Sequence, residues 1–380
     1  MKNCPYYKKC NGCQLQNLDY QKQLQFKQVK AINLLGKFCH VDEIIPMQNP
    51  LNYRNKVQTC FVSIKGEMLS GVYQSTTGKV VPVENCMIED VVAGEIIATL
   101  RKLFVSFKVK PYDYESGTGF LRHVLIKRGF QSGQIMVVLV TVDGAIKSQR
   151  SFVNALLAKH PHITTVVQNI NNNDIKLSLG NENINLYGDG YIEDCLCGLT
   201  FRISPKAFYQ VNPVQTSALY NKAVEFAELI GDELLIDAYC GTGTIGMLMA
   251  SKAKKVIGVE LNCDAVADAV ANAQFNKIDN IEFYCKDAGD FMSAYADEGK
   301  NVDVVVTDPP RIGCSREFLQ SLVKLSPIKV VYVSCNPQTL QRDLTYLTRK
   351  GYKVKKIQPV DMFPYTEHIE SVVQLIKKDY

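Results

Sequence analysis

The stretch LLIDAYCGTGTIGMLMA, residues 234–250, joins an apolar strand to a turn holding Gly241, Gly243 and Gly246 and then to a helical run. From Glu233 onward the same succession of apolar strand, turn and helix recurs about six times, which predicts a doubly wound sheet with helices on both faces. A helix is expected to begin near Pro213. Upstream the pattern differs. From Lys56 to about Arg202, short β-branched runs such as FLRHVLIKRG and GQIMVVLVTVDG are broken by Gly, Asn and Asp, the mark of a mostly antiparallel β-rich region. Residues 15–38 read as a helix that docks through Val29, Ile32 and Leu35 and keeps Lys22, Lys27 and Lys30 among its polar positions. The expectation is an α/β chain in two parts: a β-rich region over 1–200 and a Rossmann-like domain over 201–380.

Composition narrows the class. With 380 residues, 46% hydrophobic and 21% charged, the chain has length for two domains and an ordinary core. No apolar run approaches the roughly 20 residues of a membrane span, and the N-terminus opens on Cys and Lys instead of an apolar signal, so a cytoplasmic monomer without membrane attachment is expected. In that compartment the thirteen cysteines should be thiols, ligands or nucleophiles and not disulfides. Charge is uneven: residues 1–200 hold 22 Lys and Arg against 16 Asp and Glu, and residues 201–380 hold 21 against 22. The first part is therefore the one expected to meet a polyanion.

The glycine loop alone fits either a dinucleotide or S-adenosylmethionine. Four acids at successive strand ends decide between them: Asp237, Glu260, Asp287 and Asp308. An acid closing the second strand suits ribose hydroxyls in both cases, whereas Asp-Pro-Pro closing the fourth, in VDVVVTDPPR, is a feature of S-adenosylmethionine-dependent methyltransferases. Where enzymes that methylate amino groups carry an aromatic after Asp-Pro-Pro, this chain has Arg311, which points to a carbon target.

A pyrimidine carbon 5 is too weak a nucleophile to take a methyl group unaided. A thiolate adding at carbon 6 makes it an enolate carbon, and a base must afterwards remove the carbon-5 proton. Cys335, in VVYVSCNPQTL, closes a strand of the same sheet, and a helix starting near Pro337 is expected to favour its thiolate. Cys314 in DPPRIGCS competes, as in a cytosine carbon-5 methyltransferase; Cys240 reads as a packing residue. For the base, DMFPYTEHIESVV offers Glu367, His368 and Glu370.

Taken in order, FYQVN, DAYCGTGTIG, DPPR, SCNP and DMFPYTEHIES resemble the RNA uracil-5-methyltransferases, which act on 23S ribosomal RNA or on the T-loop of transfer RNA; YRNK at 53–56 and LRHV at 121–124 extend the likeness. The resemblance implies Cys335 as nucleophile, Glu370 as base, and Gln210, Tyr239, Glu260 and Asp308 as donor-binding positions, beside Gly241, Gly243 and Asp287 from the loop pattern. At the N-terminus, Cys4, Cys10 and Cys13 are spaced C-x5-C-x2-C, and Cys86 could be a fourth thiolate; such a set suits zinc or an iron–sulfur cluster. The likeness to the ribosomal RNA members favours a 4Fe–4S cluster, structural or RNA-positioning, and 23S ribosomal RNA over transfer RNA. Many members begin with a small β-barrel that binds RNA; this chain starts at the cysteine motif, which leaves structured RNA to the β-rich region, where Arg54, Lys56, Arg122, His123, Lys127 and Arg128 are candidate phosphate contacts. A non-catalytic RNA-binding assembly factor is the remaining alternative.

Overall fold

The computed structural model describes residues 4–74, 77–173 and 175–378. Its N-terminal part holds one helical turn, α1 (Tyr7–Cys10), and a longer helix, α2 (Tyr20–Leu35), which Asp19 caps by accepting from the Lys22 amide at 2.9 Å. Then come β1 (Lys56–Ile64), β2 (Glu67–Tyr73), β3 (Val80–Pro82), α3 (Val91–Ser106), β4 (Leu121–Arg128), β5 (Ile135–Thr141), α4 (Gln149–Lys159), β6 (Ile163–Ile170) and β7 (Glu182–Tyr187). They form a seven-stranded sheet in the order β3-β2-β1-β4-β5-β6-β7. Every neighbouring pair is antiparallel except β5 and β6, whose crossover is α4. Phe104 of α3 and Phe152 of α4 stack at 5.7 Å against this sheet, and β5 is buried along its whole length.

A hairpin, β8 (Ile192–Leu196) and β9 (Leu199–Ile203), leads to the second unit. This comprises α5 (Pro213–Ala227), β10 (Leu234–Ala238), α6 (Thr244–Ala250), β11 (Lys255–Glu260), α7 (Cys263–Phe275), β12 (Ile281–Cys285), α8 (Ala288–Asp297), β13 (Val304–Thr307), α9 (Arg316–Leu325), β14 (Lys329–Ser334), α10 (Pro337–Arg349), β15 (Tyr352–Val360) and β16 (Glu370–Lys377). The sheet order is β12-β11-β10-β13-β14-β16-β15, with β10 to β14 parallel and β16 inserted antiparallel between β14 and β15. Strand order reverses between β10 and β13, so a crevice opens beyond their carboxyl ends. That is where the four acids and Cys335 lie. No helix among the described residues is long and apolar enough to cross a membrane.

Two sequence expectations are corrected. The N-terminal helix spans Tyr20–Leu35 and is rotated from the expected orientation: Leu35 is buried as expected, but Val29 and Ile32 are 55% and 47% exposed and Lys27 is fully buried beside Leu24 and Ala31. The reason is that its polar face covers a loop, residues 361–369, rich in backbone groups that need partners. With it, the segment after α2 joins the second sheet through a bridge between Ile45 and Val360. The second correction concerns thiols. Cys263 and Cys285 form a disulfide, their Cα atoms 5.2 Å apart, because the parallel pairing of Glu260 with Cys285 carries the end of β12 beside the start of α7.

Candidate active site

A cavity of about 680 Å³ lies at the carboxyl edge of β10, β11, β13 and β14. Gln210, Tyr239, Gly241, Glu260, Asp287, Asp308, Arg311, Cys335 and Glu370 all line it, together with Asp237 and Tyr220. Of the positions expected there, Gly243 is the exception: with φ +79° it faces the Phe283 ring, 2.8 Å from where a Cβ would stand, so it serves packing.

Each acid is held differently. Asp237, almost fully buried, accepts from the Gly246 amide at 2.7 Å through Oδ2, while Oδ1 has no partner among the described residues. A Cβ at Gly246 would sit 2.8 Å from that carboxylate, which explains the third glycine. Glu260 accepts from the amides of Gly241 (3.1 Å) and Asn262 (2.9 Å), so one carboxylate ties the glycine loop to the end of β11. Asp287 caps α8, accepting from Gly289 and Asp290 at 2.8 and 3.0 Å. Tyr239 turns out of β10 with φ +61°, unusual for a residue bearing a side chain, and its ring lies 5.1 Å from Phe318.

Loss of hydration dominates the electrostatics. Burial pushes the carboxyl groups of Asp237 and Asp308 up to about 7, Asp237 also through the charges of Asp308 and Glu260. Glu370 is pushed up to about 8 by burial and by Asp308, against the pull of Arg311. Cys335 rises to about 11 for the same causes, burial first, then Glu370 and Asp308, again opposed by Arg311. The expected thiolate is thus corrected: in the cavity without ligands the thiol keeps its proton, because desolvation and two carboxylates outweigh the helix start behind it. A cavity walled by carboxyl groups is suited to a cation.

The motif around Cys335 is a staple. The Asn336 side chain caps α10 by accepting from the Gln338 amide at 3.0 Å and donates to the Arg311 carbonyl at 2.9 Å, to which Thr339 also donates at 3.3 Å. Ser334 Oγ accepts from the Asn336 amide at 3.2 Å. The loop bearing Arg311 and the strand end bearing Cys335 are therefore one unit. Cys335 and Arg311 also border a smaller cleft of about 330 Å³ with Lys30, Glu367 and His368, so Cys335 stands where two spaces meet.

Competing residues lie elsewhere. Cys314 is buried against Tyr332, whose hydroxyl receives its thiol hydrogen at 3.3 Å, is pushed up to about 12 by burial, and does not line the cavity. Cys240, buried in the glycine loop, also lines the cavity. Glu367 pairs with Lys30 at 3.5 Å, and burial lowers the basicity of His368, whose ring meets Phe363 edge-on. Glu370 alone of the three candidate bases borders the larger cavity. Sequence reasoning missed Tyr220, a buried hydroxyl bonded to Gln210 and set among Asp308, Glu370 and Asp237; an isolated Tyr in a helical run gives no signal.

A model of the tRNA (uracil-5-)-methyltransferase family matches residues 189–378. An uncharacterized RNA methyltransferase of Clostridium tetani is 42% identical over 374 residues, 97% of this chain and 81% of that protein. One of Caldanaerobacter subterraneus is 42% identical over 373 residues, 97% and 82% of the two chains. The chain belongs to the RNA uracil-5-methyltransferase family. The crystal structure of Pyrococcus abyssi tRNA (uracil-54, C5)-methyltransferase in complex with S-adenosyl-L-homocysteine superposes with a TM-score of 0.82 at 28% identity, covering 96% of this chain and 86% of that one. The fold is that of an α/β methyltransferase, and the protein is an S-adenosylmethionine-dependent RNA methyltransferase.

In this RNA methyltransferase the N-terminal cysteines converge. Cys13 lies close enough to Cys4 and Cys10, and Cys86 to Cys13, for each charge to raise the next thiol's pKa; burial, the larger cause, pushes Cys13 and Cys86 up to about 12. The Gly12 amide is directed at the Cys10 sulfur, and the Ile88 and Glu89 amides at that of Cys86. Among the described residues no group of three or more metal-binding side chains stands arranged to hold an ion. Amide hydrogens are aimed at two of the four sulfurs, those of Cys10 and Cys86.

The candidate phosphate contacts need correction. Arg122, His123 and Lys127 are buried. Arg122 donates to the Asn171 carbonyl at 2.6 Å and Lys127 to the carbonyls of Ser204 and Ala207, both at 2.8 Å. Arg128 pairs with Asp90 at 2.7 Å. The strand alternation hid this, since β4 is covered on both faces.

Proposed function

We propose that this enzyme methylates carbon 5 of a uridine in structured RNA, 23S ribosomal RNA ahead of transfer RNA, through a covalent adduct between Cys335 and uracil carbon 6. The observation that carries the reading is that Cys335 and Glu370 border one cavity whose other walls are the strand-end acids. S-adenosylmethionine supplies the methyl group as an electrophile on a sulfonium. Gln210, Tyr239, Gly241, Glu260, Asp287 and Asp308 would hold the donor; its positive charge would act against the burial, and the smaller carboxylate repulsion, that push Glu370 and Cys335 up. The Cys335 thiol would lose its proton to solvent and its sulfur bond carbon 6; the electrons so placed on carbon 5 would take the methyl group as the sulfonium–methyl bond breaks, its pair leaving on the sulfur of S-adenosylhomocysteine. Glu370 then accepts the carbon-5 proton, the carbon–sulfur bond breaks, and the thiolate departs with the bonding pair. Arg311, whose charge favours the ionised forms of both groups, supports the first and last steps.

Residues 1–200 serve recognition and 201–380 transfer, with α2 bridging the two. Cys4, Cys10, Cys13 and Cys86 would hold a 4Fe–4S cluster, zinc being the alternative; iron and sulfide analysis of protein purified without oxygen separates them. The cysteine spacing supports ribosomal RNA, whereas the Pyrococcus abyssi neighbour is named for a transfer RNA uridine. Mapping 5-methyluridine in both RNAs from cells lacking the protein decides the target. Incubating 5-fluorouridine RNA with S-adenosylmethionine tests the chemistry: a stable adduct at Cys335 is expected, and its absence from folded protein on its own target overturns the mechanism.

A further inference from the structure

Residues 361–369, between β15 and β16, lead directly into Glu370. In the register of these strands Glu370 lies opposite Val360, so Asp361 is one residue beyond the cross-strand partner of Glu370. Where Asp361 is fixed, Glu370 is fixed. The fixing comes from one face of α2, where Tyr20, Gln23, Lys27 and Lys30 recur at helical spacing. The Tyr20 hydroxyl donates to Asp361 Oδ2 at 2.8 Å and accepts from the Met47 amide at 2.7 Å. Gln23 accepts from the Tyr365 amide at 2.8 Å, and Lys30 donates to the Glu367 carbonyl at 3.3 Å. At the centre the Lys27 ammonium donates to Asp361 Oδ1 and to the Phe363 carbonyl at 3.0 Å, both side chains of the ion pair being fully buried.

A buried ion pair is poor at raising stability, because desolvating two charges consumes much of their attraction. Its value lies in geometry: with the Tyr20 hydroxyl and the Phe363 carbonyl met at once, the pair admits few other arrangements. We propose that Lys27 and Asp361 are positioning residues that hold Glu370 at the reacting carbon, an inference resting on the assignment of Glu370 as the base. Methyl transfer precedes the need for that base, so loosening the pair should slow proton removal and leave carbon–sulfur addition intact.

The test uses full-length Lys27→Met, Tyr20→Phe and the paired change Lys27→Met with Asp361→Leu, whose apolar side chains keep the volume filled. Glu370→Gln is the control, and the probe is S-adenosylmethionine with total RNA from cells lacking the protein. Product and denaturant-resistant RNA–protein adduct are measured on preparations matched for thermal transition. The expected result is a ratio of adduct to product about tenfold or more above wild type for the folded paired variant, a smaller rise for Tyr20→Phe, and a fall in kcat with KM for the donor unchanged. Adduct in Glu370→Gln without excess adduct in the Lys27 variants overturns the positioning role alone. No adduct in any of them overturns the base assignment and the positioning role with it.

Discussion

In the first sheet the buried positive groups end on carbonyl oxygens, whereas along the carboxyl edge of the second the buried negative ones face a cavity. Lys127 and Arg122 donate to the carbonyls of Ser204, Ala207 and Asn171. Asp237 keeps one oxygen without a partner among the described residues, and Asp308 and Glu370 sit in a wall where Arg311 is the counter-charge that Glu370 feels. Both regions bear the desolvation of charge, but only one leaves it uncompensated until something binds. His123 departs from this contrast: it is buried in the first sheet with neither ring nitrogen partnered among the described residues.

The comparison breaks most sharply at the two cysteines. Cys335→Ala should abolish both methylated product and adduct, while Cys314→Ala, which empties a small packed volume, should keep turnover within about threefold and cost about 1–2 kcal/mol in denaturant unfolding. Equal loss in both would place the chemistry outside the cavity. Next in size, Glu370→Gln should lower product by about 10²–10⁴-fold with adduct accumulating, measured by denaturing gel. For the other region, Lys127→Met removes the donors of two buried carbonyls and should lower stability by about 2–5 kcal/mol with little change in kcat of the folded fraction. A loss of kcat without loss of stability would assign Lys127 to the site.

The smallest expected effect is that of pH. Glu370, facing Asp308, Arg311 and Cys335, must be ionised to accept a proton and is pushed up to about 8 by burial and Asp308, so kcat/KM, which reports the free enzyme, should rise about tenfold per unit as pH climbs toward 8 and level off above it. In Asp308→Asn, with one carboxylate gone, that limb should move to lower pH. An unmoved limb would separate the two carboxyl groups.

Much of the second unit was legible because its signals are local: glycines, Asp-Pro-Pro and Ser-Cys-Asn-Pro each set their own turn or cap. The strand-end acids followed from the same alternation. Lys27 was not legible. Its burial depends on a loop more than 330 residues away, and no pattern within α2 distinguishes a lysine reaching an aspartate from one reaching water. Arg122 and Lys127 misled for a related reason: charge on a strand reads as exposure unless both faces are known to be covered. The expectation for Cys335 rested on a helix start, which is visible in sequence; its burial and the approach of the Glu370 and Asp308 carboxyl groups are not.

Strand β16 is translated after every other strand of its sheet, yet it lies between β14 and β15. A nascent chain lacking it leaves two hydrophobic edges apart and has no Glu370 beside Cys335. Premature termination anywhere before residue 370 therefore yields a polypeptide without the strand that joins β14 to β15 and without the Glu370 carboxyl in the cavity wall.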